Sequence, residues 1–369
     1  MKFAMRTGLV LGLLLRFSLA AAPPSAATHP RFEVLGDPEG LPQNSVRDLA
    51  FDSRGYLWAA TQGGAAYYNG RRWTTVRPSG PAALSDLKSL FAGRDGTLYM
   101  GSVSAGLAVR DPAGTFSIHT KASGALPDDS VNAFLERPGA SGAELWVATG
   151  HGLAKLSGGA FTRFPAGENG LPRGAARALA ETVESGERML WVGTENGLAY
   201  RSGEAFHTGS ESGELPKDPV NTVLPSSSAA GGLYVGTEAG GLFLVRDLRS
   251  LPLTGLPGDA ILCLSEVELS GRTLLFAGTA RGDLYACEGL ACTPYARRAI
   301  DLPGNAIQKI LPSGAGSVVF VATQGSGLLT HRLGGFRALD MRHGLSSNMV
   351  YALAEVPGAS PGEKDLWIG

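Results

Sequence analysis

Leu57-Trp58-Ala59-Ala60-Thr61 is one copy of a pattern that recurs along the chain: an apolar residue, an aromatic, an apolar residue, a small residue, then Thr or Ser. The complete copies carry their aromatic at Trp58, Tyr99, Trp146, Trp191, Tyr234, Phe276 and Phe320, and an incomplete copy ends the sequence with Trp367. Successive aromatics are 41 to 47 residues apart. A period of this length indicates a repeat architecture in which each repeat is one supersecondary unit.

The residues around each copy predict four short strands per repeat. A turn of the type Gly40-Leu41-Pro42 precedes an alternating stretch such as Val46 to Phe51, which is typical of a strand. The aromatic pattern follows as a second strand, and two more short strands complete the unit. A four-stranded sheet with two apolar faces must be covered on both, and radial stacking of such sheets does this. The sequence therefore predicts an all-β protein, a β-propeller, with the aromatics packed between blades.

Blade number follows from the start of the mature chain. Residues 31–35 match the fourth strand of a repeat and precede seven first-to-third strand sets. If this strand completes the last set, residues 31–334 form a closed seven-bladed propeller. Residues 335–369 would then be the truncated start of a further blade or of a second propeller. An eight-bladed ring is the alternative.

The N-terminus has the features of a secretory signal peptide over residues 1–22. Lys2 and Arg6 provide a basic start, an apolar run covers residues 9–15, and small residues at 20–22 offer a cleavage site. Residues 23–30 are expected to be a flexible lead-in. We therefore expect a periplasmic or secreted protein with no membrane insertion in this segment after cleavage; an uncleaved anchor is the alternative.

Export permits disulfide bonds, and the chain has three cysteines. Cys287 and Cys292 flank a predicted hairpin connection, so their side chains are candidates for a disulfide bond. Cys263 lies in an apolar run and is expected to be buried. No histidine or third cysteine accompanies the pair, and we expect no metal site.

Charge and motifs exclude several functions. The net charge is −1, which gives no reason to expect a nucleic-acid partner. No nucleophile-elbow, zinc-protease or phosphate-loop motif is present, so no catalytic residue and no cofactor are expected in this segment.

The repeat resembles the two-component regulator propeller repeat. Residues 40–46 and 52–61 follow its pattern of a Gly-Leu-Pro turn, an Asp-x-x-Gly turn and Leu-Trp-apolar-small-Thr, and residues 190–198 follow it as closely. The resemblance implies a periplasmic sensor region, with signalling domains such as a histidine kinase further along a longer chain. The second repeat departs from the pattern in its turn, Ala83-Leu84-Ser85, and in its strand, Leu98-Tyr99-Met100-Gly101-Ser102, and the sixth and seventh repeats lack Trp as well.

A ligand would be expected at the mouth of the central channel, where the fourth-to-first and second-to-third strand connections open on one face. The candidate residues in these connections are Gln62, His151, Glu195, Asn196, Glu238, Arg281, Gln324, Asn44, Asp129, Arg173, Lys217 and Asp259. Their mixture of amides, acids and bases suits a polar small molecule or an oligosaccharide. The alternative is that they are ordinary turn residues, since Asn and Asp favour turns.

Three functional hypotheses follow. The first is the extracytoplasmic ligand-binding sensor propeller of a two-component-type receptor. The second is a propeller-fold lyase or glycoside-active enzyme, with acids or histidine at the channel mouth. The third is a non-catalytic scaffold of a secreted or surface complex. Fold alone does not decide among them.

Overall fold

The structure, a computed structural model, describes residues 30–76, 85–139, 142–184, 186–208, 214–228, 231–269, 272–297, 302–314 and 318–333, and the strands 353–357 and 364–368. The predicted signal peptide and residues 23–29 of the lead-in lie outside these residues, so those boundaries stay predictions. Residues 335–369 are described only as an antiparallel pair, β29 (Leu353–Pro357) and β30 (Lys364–Ile368).

The remaining strands form seven four-stranded antiparallel sheets, which are the blades of a propeller. Blades 1 to 3 are β2 (Val46–Phe51), β3 (Leu57–Thr61), β4 (Gly64–Tyr68) and β5 (Trp73–Val76); β6 (Leu87–Ala92), β7 (Leu98–Ser102), β8 (Leu107–Arg110) and β9 (Phe116–His119); and β10 (Val131–Gly139), β11 (Gly142–Thr149), β12 (Gly152–Ser157) and β13 (Ala160–Pro165). Blades 4 and 5 are β14 (Ala176–Glu184), β15 (Glu187–Thr194), β16 (Gly197–Ser202) and β17 (Ala205–Thr208); and β18 (Val220–Pro225), β19 (Leu233–Thr237), β20 (Leu242–Arg246) and β21 (Arg249–Pro252). Blades 6 and 7 are β22 (Ile261–Leu269), β23 (Arg272–Thr279), β24 (Leu284–Glu288) and β25 (Ala291–Ala296); and β26 (Ile307–Pro312), β27 (Val318–Thr323), β28 (Leu328–Arg332) and β1 (Glu33–Leu35).

The ring closes at seven blades because the first strand completes the last blade. β1 pairs antiparallel with β28, with Val34 opposite Leu329. One 3-10 turn, Asp37–Glu39, then leads from β1 into blade 1. The predicted seven-bladed β-propeller is confirmed. The eight-bladed alternative is wrong, because β1 completes blade 7 and the innermost strands of blades 7 and 1 contact each other directly.

The first strand of each blade is the innermost. Each of β2, β6, β10, β14, β18, β22 and β26 contacts the equivalent strand of both neighbouring blades, and the contact between β2 and β26 closes the circle. These seven strands therefore surround the propeller axis, and the fourth strands form the rim.

Adjacent blades approach closely where the second strand of one faces the innermost strand of the next. A Cβ atom on Gly193 would lie 2.7 Å from Cγ1 of Val220, and one on Gly278 would lie 2.6 Å from Cγ2 of Ile307. Both distances are shorter than real Cβ contacts, so the small residue before Thr in the repeat is required for this packing.

The repeat aromatics lie between successive blades. Trp58, Trp146, Trp191 and Phe276 are fully or almost fully buried. Each contacts the core of the following blade; Trp191, for example, packs with Val220 and Val235 of blade 5. Tyr99, Tyr234 and Phe320 are half-buried against the next blade in the same manner.

Cys287 and Cys292 lie directly opposite each other in β24 and β25, and the structure joins their sulfur atoms in a disulfide bond. The bond holds the outer hairpin of blade 6. Cys263 is free and buried, as the apolar run predicts. Burial raises the pKa of its thiol to about 12, so it is an unreactive packing residue.

Replacement of Trp191 by Ala is expected to lower the free energy of unfolding by about 3–5 kcal/mol, because it leaves a cavity between blades 4 and 5. The indole Nε1 also donates a hydrogen bond to Thr182 Oγ1 (2.8 Å). Denaturant unfolding of Trp191→Ala measures the loss. Leu251→Ala, at a 42% exposed position of β21, is the control, with an expected change below about 1 kcal/mol.

A variant that begins at Gly36, and so lacks β1, is expected to be less stable than one that begins at Pro30. It loses the pairing with β28 and the packing of Phe32 against the core between blades 6 and 7. Burial of one Phe and about 1 kcal/mol per hydrogen bond predict a loss of about 3 kcal/mol or more. Thermal unfolding of the two variants measures it, and equal midpoints would contradict the role of β1. Because the edge of β28 becomes open, concentration-dependent association is expected as well.

Candidate functional site

The seven innermost strands open in the same way. In each, the first residue pairs with the Thr or Ser that ends the second strand, and a β-bulge follows. The extra residue is the second of the strand. These second residues, here called the bulge ring, are Arg47, Lys88, Asn132, Arg177, Asn221, Leu262 and Gln308. A bulge redirects a side chain, and the register places all seven at the same height on the strands that surround the axis.

Hydrogen bonds join neighbouring members of the bulge ring. Lys88 Nζ donates to Asn132 Oδ1 at 2.6 Å, and Asn132 Nδ2 donates to the carbonyl of Ala176 in the next blade at 2.6 Å. Arg177 Nη1 donates to Asn221 Oδ1 at 2.8 Å. These bonds run from blade to blade, so the polar side chains form a connected lining at one mouth of the channel.

The charged groups at this mouth are mostly paired. Arg47 Nη1 lies 2.7 Å from Asp86 Oδ1, and Arg177 lies 2.7 Å from Glu238 and 3.4 Å from Glu195. One residue further along their strands, Lys309 Nζ lies 3.0 Å from Asp48 Oδ1. The basic residues Arg47, Lys88, Arg177 and Lys309 equal in number the acidic residues Asp48, Asp86, Glu195 and Glu238, so the group as a whole carries no net charge.

Lys88 is the member of this group without a carboxylate at ion-pair distance among the described residues. Its side chain is solvent-exposed but surrounded by the channel wall. Desolvation by this wall, and then the positive charges of Arg177 and Arg47, lower the pKa of Lys88. The backbone N–H of Ala175, together with Arg177, lowers the pKa of Glu195. An acceptor group of a ligand would therefore be favoured beside Lys88.

Two predicted site residues, Glu195 and Glu238, are brought together by Arg177, although they come from the connections of different blades. Gln324 accepts a hydrogen bond from Gln308 of the bulge ring, and Gln62 accepts one from Gln43, both at 3.5 Å. Glu195, Glu238 and Gln324 therefore contact the bulge ring directly.

Four other predicted residues stabilise loops. Asn44 Oδ1 accepts from the Asp37 N–H, and Asp129 Oδ1 accepts from the Lys121 N–H. Asn196 Nδ2 donates to the Arg173 carbonyl, and Asp259 Oδ2 accepts from the Arg281 N–H. Hydrogen bonds of this kind between a side chain and the backbone are typical of turn residues.

Among the described residues, the remaining predicted residues make no hydrogen bond or ion pair with the bulge ring. The Arg173 and Lys217 side chains are exposed and make no ion pair among the described residues. Arg281 Nε lies 3.7 Å from Asp259 Oδ1, and His151 Nδ1 lies 3.8 Å from Asp128 Oδ2.

Sequence reasoning missed the bulge ring, because it assigned ligand contacts to loops and treated the innermost strands as scaffold. One signal was present. A polar residue directly follows the first apolar residue of six of these strands, as in Val46-Arg47 and Val220-Asn221, whereas Leu262 is the exception. A bulge cannot be recognised from such a dipeptide alone, since period-two alternation also places a polar residue there.

Within the described residues, no group of three or more His, Cys, Asp or Glu side chains could hold a metal ion. In that same part of the chain, no helix has the length and apolar character to cross a membrane.

Comparison with known families identifies the repeat. Residues 40–63 match the family model of the two component regulator propeller. The predicted resemblance is confirmed. The match covers the start of blade 1, with its Gly-Leu-Pro turn and its Leu-Trp strand. A search of curated proteins finds no match.

Solved structures with this fold include two from B. thetaiotaomicron. One is the extracellular domain of BT3049, assigned to a hybrid two component system, with a TM-score of 0.64 and 19% identity over 92% of this chain and 47% of that one. The other is the extracellular domain of BT4673, also assigned to a hybrid two component system, with a TM-score of 0.67 and 20% identity over 88% and 43%. This chain therefore spans about half the length of these domains.

Streptogramin B lyase has the same fold at a greater sequence distance. Its TM-score is 0.60, with 13% identity over 82% of this chain and 97% of that one. At these identities the similarity shows the fold alone, so the propeller is shared by extracellular domains assigned to signalling systems and by an enzyme.

The lowered pKa of Lys88 predicts a pH dependence of stability. Between the lowered pKa and the ordinary value of 10.5, the unfolded chain holds more protons than the native one, so stability rises with pH in this window. Lys88→Met removes this contribution. The free energy of unfolding of the variant minus that of the wild type should therefore fall as pH rises from neutral toward 10.5, measured by urea unfolding. Lys217→Met, at an exposed lysine of the same face, is the control. A difference for Lys88→Met that does not change with pH would contradict the prediction.

Proposed function

We propose that this chain is the ligand-binding sensor propeller of an extracytoplasmic two-component-type receptor, and that its ligand binds over the bulge ring. The ligand class is a polar small molecule or an oligosaccharide, and the signalling domains would lie in the same longer chain. The observation that carries the proposal is the connected polar lining of Lys88, Asn132, Arg177 and Asn221 at one channel mouth.

The chemistry of the lining supports a hydroxyl-rich ligand. Amide and guanidinium groups of Asn132, Asn221 and Arg177 alternate with the carboxylates of Glu195 and Glu238. Such a set offers both donors and acceptors, and the eight charged residues at this mouth together carry no net charge, which suits neutral polar molecules. The bulges place Asn132, Arg177 and Asn221 on strands of the scaffold, so these binding groups are held in position before the ligand arrives.

The comparisons support the sensing part of the proposal. Extracellular domains assigned to hybrid two component systems share the fold over most of this chain, and residues 40–63 match the regulator propeller repeat. We propose on the same basis that the propeller is exported to the periplasm, and that it is non-catalytic.

The test is a binding screen of the propeller against oligosaccharides by thermal shift, followed by calorimetry for each ligand that binds. Arg177→Gln and Lys88→Gln are expected to weaken binding about tenfold or more, because each removes a charge-assisted hydrogen bond. Arg249→Gln, at an exposed position on the rim strand β21, is the matched control and should bind like the wild type.

Three outcomes would contradict the proposal. The first is the absence of binding by any polar ligand. The second is binding that the two channel variants leave unchanged. The third is conversion of a bound oligosaccharide into products, detected by mass spectrometry, which would favour the enzyme hypothesis instead.

A further inference from the structure

A separate pocket of about 300 Å³ opens on the same face as the bulge ring, over blade 3. Two structural units supply its walls: the connection between blades 2 and 3, and the second-to-third strand loop and rim strand of blade 3. The lining residues are Lys121, Pro127, Asp128, His151, Arg163, Pro165 and Ala166. None of them belongs to the bulge ring.

Close contacts fix the floor of the pocket. Asp128 Oδ1 accepts from the Ser130 N–H at 3.0 Å, and the Ala166 N–H donates to the His151 carbonyl at 3.3 Å. A Cβ on Gly150 would lie 2.4 Å from Asp128 Oδ1. A side chain at this position would collide with Asp128, so glycine allows the loop to approach it. Contacts within the protein therefore hold the backbone of both walls in place.

The charge of the pocket is positive. Lys121 and Arg163 are both exposed, and no carboxylate of the described residues lies at ion-pair distance from either. The one acidic side chain, Asp128, has one oxygen on the Ser130 N–H and the other 3.8 Å from His151. One cationic side chain from the connection between blades 2 and 3 and one from the rim strand of blade 3 thus line the pocket, and its one lining carboxylate, Asp128, accepts a hydrogen bond from the Ser130 N–H.

The rest of the wall is apolar. Pro127, Pro165 and Ala166 provide carbon surface between the charged groups. A site of this kind favours a carbon skeleton that carries an anionic group over a bare inorganic ion, and its volume is at the lower end of small-molecule sites, about 300–1,000 Å³.

We infer that this pocket over blade 3 binds a small organic acid, namely a carboxylate attached to a sugar-sized carbon skeleton, between Arg163 and Lys121. The planar guanidinium of Arg163 has the fork geometry that binds a carboxylate through two parallel hydrogen bonds. Lys121 adds a second positive charge from the opposite wall, and the two prolines and Ala166 contact the skeleton. The inference goes beyond the proposal for the channel, with which it shares the face but no residue.

The test uses glucuronate as the probe and glucose as its neutral counterpart. Calorimetric titration should show that glucuronate binds at least about tenfold more tightly than glucose. Since a charge pair carries the difference, the preference should shrink when the ionic strength is raised from about 0.01 M to about 0.15 M, which shortens the screening length from about 30 Å to about 8 Å.

Arg163→Gln and Lys121→Gln should each weaken glucuronate binding about tenfold or more, with little effect on stability, because both side chains are exposed. Arg72→Gln, which removes the same charge from an exposed position of the blade 1 hairpin, should bind like the wild type. Arg249→Gln, on the rim strand β21, should also leave glucuronate binding unchanged.

Two results would overturn the inference. One is equal affinity for glucuronate and glucose. The other is a glucuronate affinity that Arg163→Gln and Lys121→Gln reduce no more than Arg72→Gln does. If Lys88→Gln alone abolished glucuronate binding, the acid would bind in the channel, so the inference would fail while the proposed function stood. If the propeller bound glucuronate at blade 3 but no oligosaccharide at the channel, the proposed function would fail and the inference would stand.

Discussion

The propeller depends on one recurring contact between neighbouring blades. The small residue near the end of the second strand of one blade packs against the first residue of the innermost strand of the next blade. Gly193 faces Val220 at a distance that leaves no room for a Cβ, and Gly278 faces Ile307 in the same way. Where the small residue is Ala148 instead, the facing residue is Ala176, which is also small. The same contact joins Ala60 to Leu87 and Ala322 to Val46. Because the interior is close-packed, these contacts set the distance between blades.

The residue that follows the small one connects this packing to the functional face. Thr61, Thr194 and Thr323 each donate a hydrogen bond from Oγ1 to a glycine carbonyl at the far side of the second-to-third strand loop. These hydroxyls are buried, so they fix the loop from beneath. The repeat pattern therefore specifies both the contact between blades and the position of the loops that surround the channel mouth.

The contacts that close the ring are different from the repeating ones. Blade 7 receives its outer strand from the start of the propeller, and His331 on β28 hydrogen-bonds the Arg31 carbonyl through Nδ1 and the Tyr295 hydroxyl through Nε2. On the inner side, Asp48 is bound by Lys309 of blade 7 and by the Leu90 N–H of blade 2. The pKa of Lys309 is raised by the charge of Asp48. Polar contacts thus join blade 1 to the blades on both sides of it.

The fold could be predicted from the sequence because its constraints are local and repeated. Each Leu-Pro turn and each aromatic copy is a weak signal, but their spacing reinforces them, and residues 31–35 supply the one strand that the last repeat needs. The candidate site could be predicted only in part. Glu195 and Glu238 lie 43 residues apart in the sequence, in equivalent positions of successive blades. Their shared partner Arg177, however, depends on a bulge whose geometry is decided by pairing between strands rather than by the sequence around it.

The bulge ring shows how the propeller separates stability from recognition. The first residue of each innermost strand is always apolar, because it packs against a small residue in an adjacent blade. These first residues are Val46, Leu87, Val131, Ala176, Val220, Ile261 and Ile307. The very next residue has no such constraint and varies from Arg to Lys, Asn, Leu and Gln. Since a bulge removes this residue from the regular ladder, its side chain can change without loss of a strand contact. A scaffold built in this way can keep its blades fixed while the chemistry of its channel mouth is set one blade at a time.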